Sequence, residues 1–353
     1  MRPALLAAIS AVVIIVAALG LYLMQRAGPP APSATNATPT NSLSLCIAGA
    51  YAVEGEYLKS AFFNATGIRV AVRPGGSFAL AHEIALGTPC GVFMPVAFRQ
   101  AVAGTGPYNP GWAIALAADE VVIVYSNTTT SYPGAAELIE LYEEAVKSND
   151  TRLWYAFFYN LTSGEYPLGV ADPSTDPEGL YALLLLEAAG RLYAGNQSYF
   201  IDRMAAAHAN VTRSSTFYYI VPLKEGQIAF VFSYKSYAVA NGLSYLEPPP
   251  WLNFGSPQYA DWYAQFSWVI PVNGVPTRIN GTPVYLYITI PKGEGSGAAL
   301  RFLLFALSHR QDLAKFGLYP LPKPMVFGNI SALPDPLAQM LRNGTLIYGG
   351  PLT

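Results

Sequence analysis

The sequence predicts an α/β protein built mainly on parallel sheet. Three observations predict it. Short apolar strands alternate with amphipathic helices, small-residue turns rich in Gly, Ser and Thr join several strands to the helix that follows, and no internal repeat or heptad interrupts the order. The 353 residues suffice for about two domains. The alternation is equally compatible with one large sheet.

Taken in order, a strand at 45–48 runs through Ala48-Gly49-Ala50-Tyr51 into a helix at 54–63. A strand at 68–72 leads through Pro74-Gly75-Gly76-Ser77 into a helix at 78–86, with Ser77 as its N-cap. Strands at 92–96 and 120–125 precede a helix at 135–147. The strand at 167–171 opens a turn, Asp172 to Gly179, that enters a helix at 178–193; Asp176 is the N-cap and Pro177 takes the first helical position. A helix at 198–207, a strand at 228–232, the turn Phe232-Ser233-Tyr234-Lys235-Ser236, a helix at 236–240 and a strand at 243–246 follow. Glu247-Pro248-Pro249-Pro250 then breaks the pattern. A strand at 284–290 and a helix at 297–313 complete the reading.

The N-terminus decides the compartment. Leu5 to Met24 is a run of 20 uncharged residues, about 30 Å as a helix, the thickness of a bilayer core. Residues 1–26 read as a signal anchor; cleavage after the small residues Ala18-Leu19-Gly20 is the alternative. Residues 27–42, rich in Pro, Ser and Thr, form a linker. Either way the remainder is extracytoplasmic, anchored to the membrane or secreted. Ten Asn-X-Ser/Thr sequons, beginning at Asn36, Asn64, Asn127, Asn149, Asn160, Asn196, Asn210, Asn280, Asn329 and Asn343, predict a glycosylated surface. In an oxidising compartment Cys46 and Cys90 can pair if their strands are neighbours; otherwise they are two small core thiols.

Composition excludes several classes. With 20 Lys+Arg against 22 Asp+Glu the net charge is −2, so no basic surface is available for nucleic acid. A chain with 12% charged and 52% hydrophobic residues is not disordered. Three His and two Cys leave little for a zinc cage. His82-Glu83 lacks the second His, since Leu86 stands four residues on. Gly75-Gly76-Ser77-Phe78-Ala79 lacks the last Gly of a nucleophile elbow. Gly293 to Gly297 is spaced neither as a dinucleotide fingerprint nor as a P-loop. The chain reads as a non-enzyme with no cofactor. What remains are turns of the kind that gather at the carboxyl ends of strands, where helix N-termini suit an anion.

The order and wording of these turns resemble the archaeal tungstate/molybdate-binding proteins, the extracytoplasmic component of an ABC importer. The resemblance runs from about residue 44 to about 340. It rests on Ala48-Gly49-Ala50, on Gly76-Ser77, and on the segment from Asp172 to Tyr181. Glu225 to Phe230, Tyr234-Lys235-Ser236, Gly255 to Tyr263 and Thr289-Ile290-Pro291-Lys292 continue it in order.

The resemblance implies a type II periplasmic-binding-protein fold, with two lobes joined by two hinge crossings near 120–126 and 243–248. Lobe 1 would be 43–120 plus 249–353, and lobe 2, with the crossings, 121–248. The implied ligand is a tetrahedral oxyanion, tungstate or molybdate, bound in the interlobe cleft by Ala50, Ser77, Asp176, Thr216 and Tyr234. Ser77 would donate its hydroxyl and N–H, and Tyr234 its phenol. Asp176 falls on a carboxylate that in some members ligates the metal. The implied partners are an ABC permease and the membrane, with the protein monomeric.

Two departures bear on the ligand. Ala50 replaces a hydroxyl donor, and Thr216 stands where a second carboxylate is expected. Glu178 is either a displaced carboxylate or a first-turn acid favouring the helix dipole. The alternatives are the same fold with sulfate, phosphate or a small organic acid, a membrane-anchored hydrolase using Ser77, and a structural surface glycoprotein.

Overall fold

The computed structural model describes residues 42–294 and 297–352. The apolar run from Leu5 to Met24 and the linker up to residue 41 lie outside the described residues; Ser42, read as the last linker residue, begins the first strand. Among the described residues no helix is long and apolar enough to cross a membrane. Nine sequon asparagines fall within the described residues; eight are exposed and Asn160 is half-buried.

The strands are β1 (Ser42–Ala48), β2 (Arg69–Gly75), β3 (Val92–Met94), β4 (Trp112–Ala118), β5 (Val121–Tyr125), β6 (Leu168–Gly169) and β7 (Asn210–Val211). They continue as β8 (Phe230–Tyr234), β9 (Ser244–Leu246), β10 (Ser267–Val272), β11 (Val275–Asn280), β12 (Tyr285–Ile288), β13 (Tyr319–Gly328) and β14 (Ile347–Gly350). They form sheets ordered β2-β1-β3, β12-β4-β13-β14 and β7-β6-β8-β5-β9, with β10-β11 as a separate hairpin. One large sheet is therefore not the arrangement.

The expectation of mainly parallel sheet is corrected. The pairings of β1 with β2 and β3, of β6 with β7 and β8, and of β13 with β14 are parallel. The pairings around β4 and β5, and the hairpin, are antiparallel. β4 runs through Asp119-Glu120 directly into β5 in another sheet, without the crossover helix that parallel neighbours need, and each pairs antiparallel with both strands beside it.

The apolar patterns explain why these residues form these elements. All seven residues of β4 are buried, as a strand covered on both faces requires. Every residue of the helix Pro177–Ala189 is buried. A helix apolar on all sides belongs inside a core, and this one packs against β8, β5, β10 and the aromatic helix Thr151–Leu161. The helix Ala52–Thr66 ends at Gly67, whose φ of 71° suits the left-handed cap donating to the Phe63 carbonyl.

Cys46, on β1, and Cys90, just before β3, are joined as a disulfide with Cα atoms 6.0 Å apart. The strands are neighbours in register Leu45 to Val92.

Candidate functional site

Five strand ends deliver the candidate residues. β1 runs into Gly49-Ala50-Tyr51, β2 into Gly76-Ser77, β6 into the turn ending at Asp176, β7 into the segment ending at Thr216, and β8 ends on Tyr234. The predicted strand at 228–232 is displaced to Phe230–Tyr234, which sets Tyr234 at its carboxyl end. These are the positions at which open α/β sheets bind ligands.

The turns meet across the sheets. The Thr175 carbonyl accepts from the N–H groups of Phe78 and Ala79, at 3.0 Å each, at the start of the helix Ser77–Ala85. Two glycines permit the approach. A Cβ on Gly76 would lie 2.3 Å from the Thr175 carbonyl oxygen, and one on Gly49 would lie 2.3 Å from Ser215 Oγ. The Gly49–Tyr51 turn packs on the Thr216–Tyr219 turn. Tyr51 stacks on Tyr234 with ring centroids 5.7 Å apart, and Tyr181 meets Tyr234 edge-on at 6.3 Å.

All five sequence-predicted ligand positions are buried around this junction. Asp176 and Thr216 are in direct contact. Asp176 Oδ1 accepts from the Glu178 N–H at 3.0 Å, while Oδ2 accepts from Thr216 N at 3.0 Å and Thr216 Oγ1 at 3.3 Å. Asp176 is thus both an N-cap and the anchor of the turn at 216. Ser77 is not the N-cap expected of it. Gly76 holds that position without a side-chain bond, and Ser77 Oγ accepts from the Val96 N–H at 3.1 Å. Ala50 contributes no hydroxyl and lies buried in the first turn. The Tyr234 hydroxyl is buried and has no hydrogen-bond partner among the described residues.

Glu178 lies in the first turn of the helix Pro177–Ala189, one of the two places the sequence offered for it. It is fully buried, Oε2 accepts from the Ala171 N–H at 2.9 Å, and Oε1 is without a partner among the described residues. Burial, then the nearby Asp176, raises its carboxyl well above the usual range. Asp176 is raised by burial too, against the opposing pull of its hydrogen-bond donors. Burial and then Asp176 hold the Tyr234 phenol well above its ordinary value, so it stays a neutral donor.

Several residues went unread in the sequence. Asp119, between β4 and β5, accepts from Tyr51 and Ser236. Lys235 joins Glu120, Glu247 and Tyr319 through Nζ at 2.6, 2.9 and 2.8 Å. Gly49 and Gly76 stand in turns the sequence marks, each a glycine at a strand's carboxyl end before a helix. For Asp119 the available signal was an Asp-Glu pair following an apolar run. A cleft of about 490 Å³ beside the junction is lined by Phe78, His82, Thr175, Val272 and Asn273, among others.

Comparison with known proteins gives consistent matches. Residues 46–315 match the bacterial extracellular solute-binding protein family. An uncharacterized solute-binding protein of Saccharolobus solfataricus is 47% identical over 321 residues, covering 89% of this chain and 79% of the relative. The periplasmic molybdate-binding protein of Azotobacter vinelandii superposes with a TM-score of 0.51 at 16% identity, covering 80% of this chain and 100% of that one. The sulfate-binding protein SubI of Mycobacterium tuberculosis gives 0.51 at 13% identity, covering 88% of this chain and 93% of that one. The two structural likenesses speak for a mixed α/β fold of the periplasmic-binding type. The family match, supported by the Saccharolobus relative, goes further: the chain belongs to the bacterial extracellular solute-binding protein family.

Proposed function

We propose that the chain captures a tetrahedral oxyanion, tungstate or molybdate, in a cleft between two lobes and delivers it to an ABC permease. The lobes in this reading are 43–120 plus 249–353, and 121–248. The observation that carries it is the buried hydroxyl of Tyr234, at the carboxyl end of β8, which has no hydrogen-bond partner among the described residues while its ring stacks on Tyr51 from the turn after β1. A buried donor without a partner is costly, and a ligand oxygen would satisfy it. Ala50 supplies a main-chain N–H, Ser77 and Tyr234 supply hydroxyls, Thr216 lines the cleft with its own N–H given to Asp176, and closing of the lobes excludes water from these contacts.

Both oxygens of Asp176 already accept from N–H groups of their own sheet's turns. This favours a four-coordinate oxyanion held by neutral donors over a six-coordinate metal ligated by Asp176. In this reading Asp176 holds Thr216 in place. No cofactor is invoked, the protein acts as a monomer, and Leu5–Met24 anchors it outside the cytoplasm with glycans on its exposed asparagines. The family is extracellular, and the Saccharolobus relative is named as a solute-binding protein, not an enzyme.

Calorimetric titration with tungstate, molybdate, sulfate and phosphate tests the proposal. Tight binding of the first two with weak binding of the others is expected; no affinity for any of the four overturns it. A second reading, sulfate or another anion in the same cleft, is favoured by Ala50 and Thr216 and is met by a preference for sulfate or phosphate.

A further inference from the structure

Asp119 is the residue at which the chain leaves β4 for β5, and its side chain is fully buried. Its N–H donates to the Val284 carbonyl at 3.1 Å. Its carboxylate accepts from four donors. Oδ2 takes the Tyr51 hydroxyl at 3.0 Å and the Ser236 hydroxyl at 2.5 Å, and Oδ1 takes the Glu120 N–H at 2.8 Å and the Ser236 N–H at 3.4 Å. Tyr51 comes from the turn after β1, and Ser236 lies two residues beyond Tyr234. The two rings that stack, Tyr51 and Tyr234, are therefore each tied to the same carboxylate, one directly and one through two residues of chain.

We infer that Asp119 is the positioning residue of the cleft, fixing the Tyr51–Tyr234 stack and with it the direction of the Tyr234 hydroxyl. Hydrogen bonding to one shared acceptor is the way a buried polar network specifies a unique arrangement. The ring of Tyr234 has an apolar stack on one face and an edge contact from Tyr181, neither of which fixes rotation within the stack. The tie at Ser236 and the tie at Tyr51 supply that constraint. The titratable groups that face Asp119 are Tyr51 and Glu54 from the first turn and its helix, Glu120 beside it, and Tyr234 from β8. Lys235 is engaged with Glu120, Glu247 and Tyr319. Burial pushes the Asp119 carboxyl up to about 7, against the opposing pull of the hydrogen bonds from Ser236, Glu120 and Tyr51.

The test uses the full chain labelled with ¹³Cζ-tyrosine, with the Tyr51 and Tyr234 resonances assigned by their Phe variants. In Asp119→Ala the Tyr234 resonance shifts and broadens, and tungstate affinity falls about tenfold. Asp119→Asn keeps the shape and can bond the same neighbours. It retains both resonances near their wild-type positions but loses their shift between pH 6 and 8. Ser236→Ala, which cuts one tie, gives a smaller displacement of Tyr234 and carries the test if Asp119→Ala does not fold. A Tyr234 resonance unmoved in Asp119→Ala and in Ser236→Ala overturns the inference. Only the affinity readout rests on the oxyanion proposal. If wild type binds none of the four anions while the resonances respond as described, the positioning role stands and the oxyanion reading falls.

Discussion

The main-chain carbonyl of Thr175 accepts from the N–H of Phe78 at 3.0 Å. Thr175 precedes the N-cap of a helix packed on the β5 and β8 sheet, and Phe78 sits in the first turn of a helix that follows β2. A helix N-terminus is a donor site for an anion, and here a carbonyl from across the junction takes two of its N–H groups. The remaining first-turn donor is the N–H of Ser77, and the ligand proposed above has to use it together with the turn at Ala50.

Gly76→Ala tests the closeness of that approach. Gly76 has φ of −61°, so an alanine fits the local backbone, but its Cβ would meet the Thr175 oxygen at 2.3 Å. The junction must open to admit it. The expected result is a tungstate affinity reduced by more than tenfold and a larger radius of gyration in X-ray scattering. An unchanged radius and unchanged affinity would show that the turns separate at no cost.

Tyr234→Phe separates binding from stability. The hydroxyl is buried without a partner among the described residues, so its removal relieves a desolvated group. The unfolding midpoint in urea should stay level or rise, while oxyanion affinity falls about tenfold, near 1.4 kcal/mol. Loss of stability with unchanged binding would assign the phenol to the core instead.

Five buried carboxyls, Glu54 and Glu187 among them, set the pH dependence of stability. Burial pushes Asp119 up to about 7 and raises Asp176 and Glu178 in the same direction. An acid with a raised folded pKa binds more protons folded than unfolded between its two pKa values. Its stabilising effect is full below the unfolded pKa of about 4 and is lost as pH rises through the folded one. For Asp119 a gap of about three units corresponds to roughly 4 kcal/mol. Urea unfolding at intervals from pH 4 to 8 should show wild type losing stability over this range more steeply than Asp119→Asn. Parallel curves would refute the assignment.

Reduction of the disulfide should matter more than its position in one small sheet suggests. Cys46 and Cys90 are 44 residues apart, and closing a loop of that length stabilises by about 4 kcal/mol in the chain-entropy account. Dithiothreitol, or Cys46→Ala with Cys90→Ala, should lower the unfolding free energy by an amount of this order. A loss below about 1 kcal/mol would contradict the account.

The site turns were legible because each is marked by chain chemistry: a glycine before a helix at Gly76, Asp-Pro-Glu at 176–178, an aromatic strand end at Tyr234. Ser77 was misread because an N-cap hydroxyl and a first-turn hydroxyl look alike in sequence, and the Val96 N–H that claims it comes from a distant segment. β4 went unread because Ala-rich Trp112–Ala118 carries a single β-branched residue, Ile114, and burial on both faces makes it a strand. β13 carries Pro320, Pro322 and Pro324, which argue against a strand, and its register breaks between Pro320 and Met325. The β10-β11 hairpin was recoverable: Asn273-Gly274, with φ of 50° and 78°, is the strongest short hairpin signal. Asp119 and Glu178 owe their character to burial, which periodicity does not disclose.

The contact between Thr175 and Phe78 has a consequence for how such a protein can change. Its bonding atoms belong to the main chain, and the glycine beside it contributes only the lack of a side chain. Amide and carbonyl groups are the same whatever residue carries them. In the reading proposed above, substitutions at 50, 216 or 234 can therefore retune the cargo while the clasp itself persists. Selectivity and grip would then be separable traits, and a lineage could explore new ligands without first rebuilding the junction that holds the turns together.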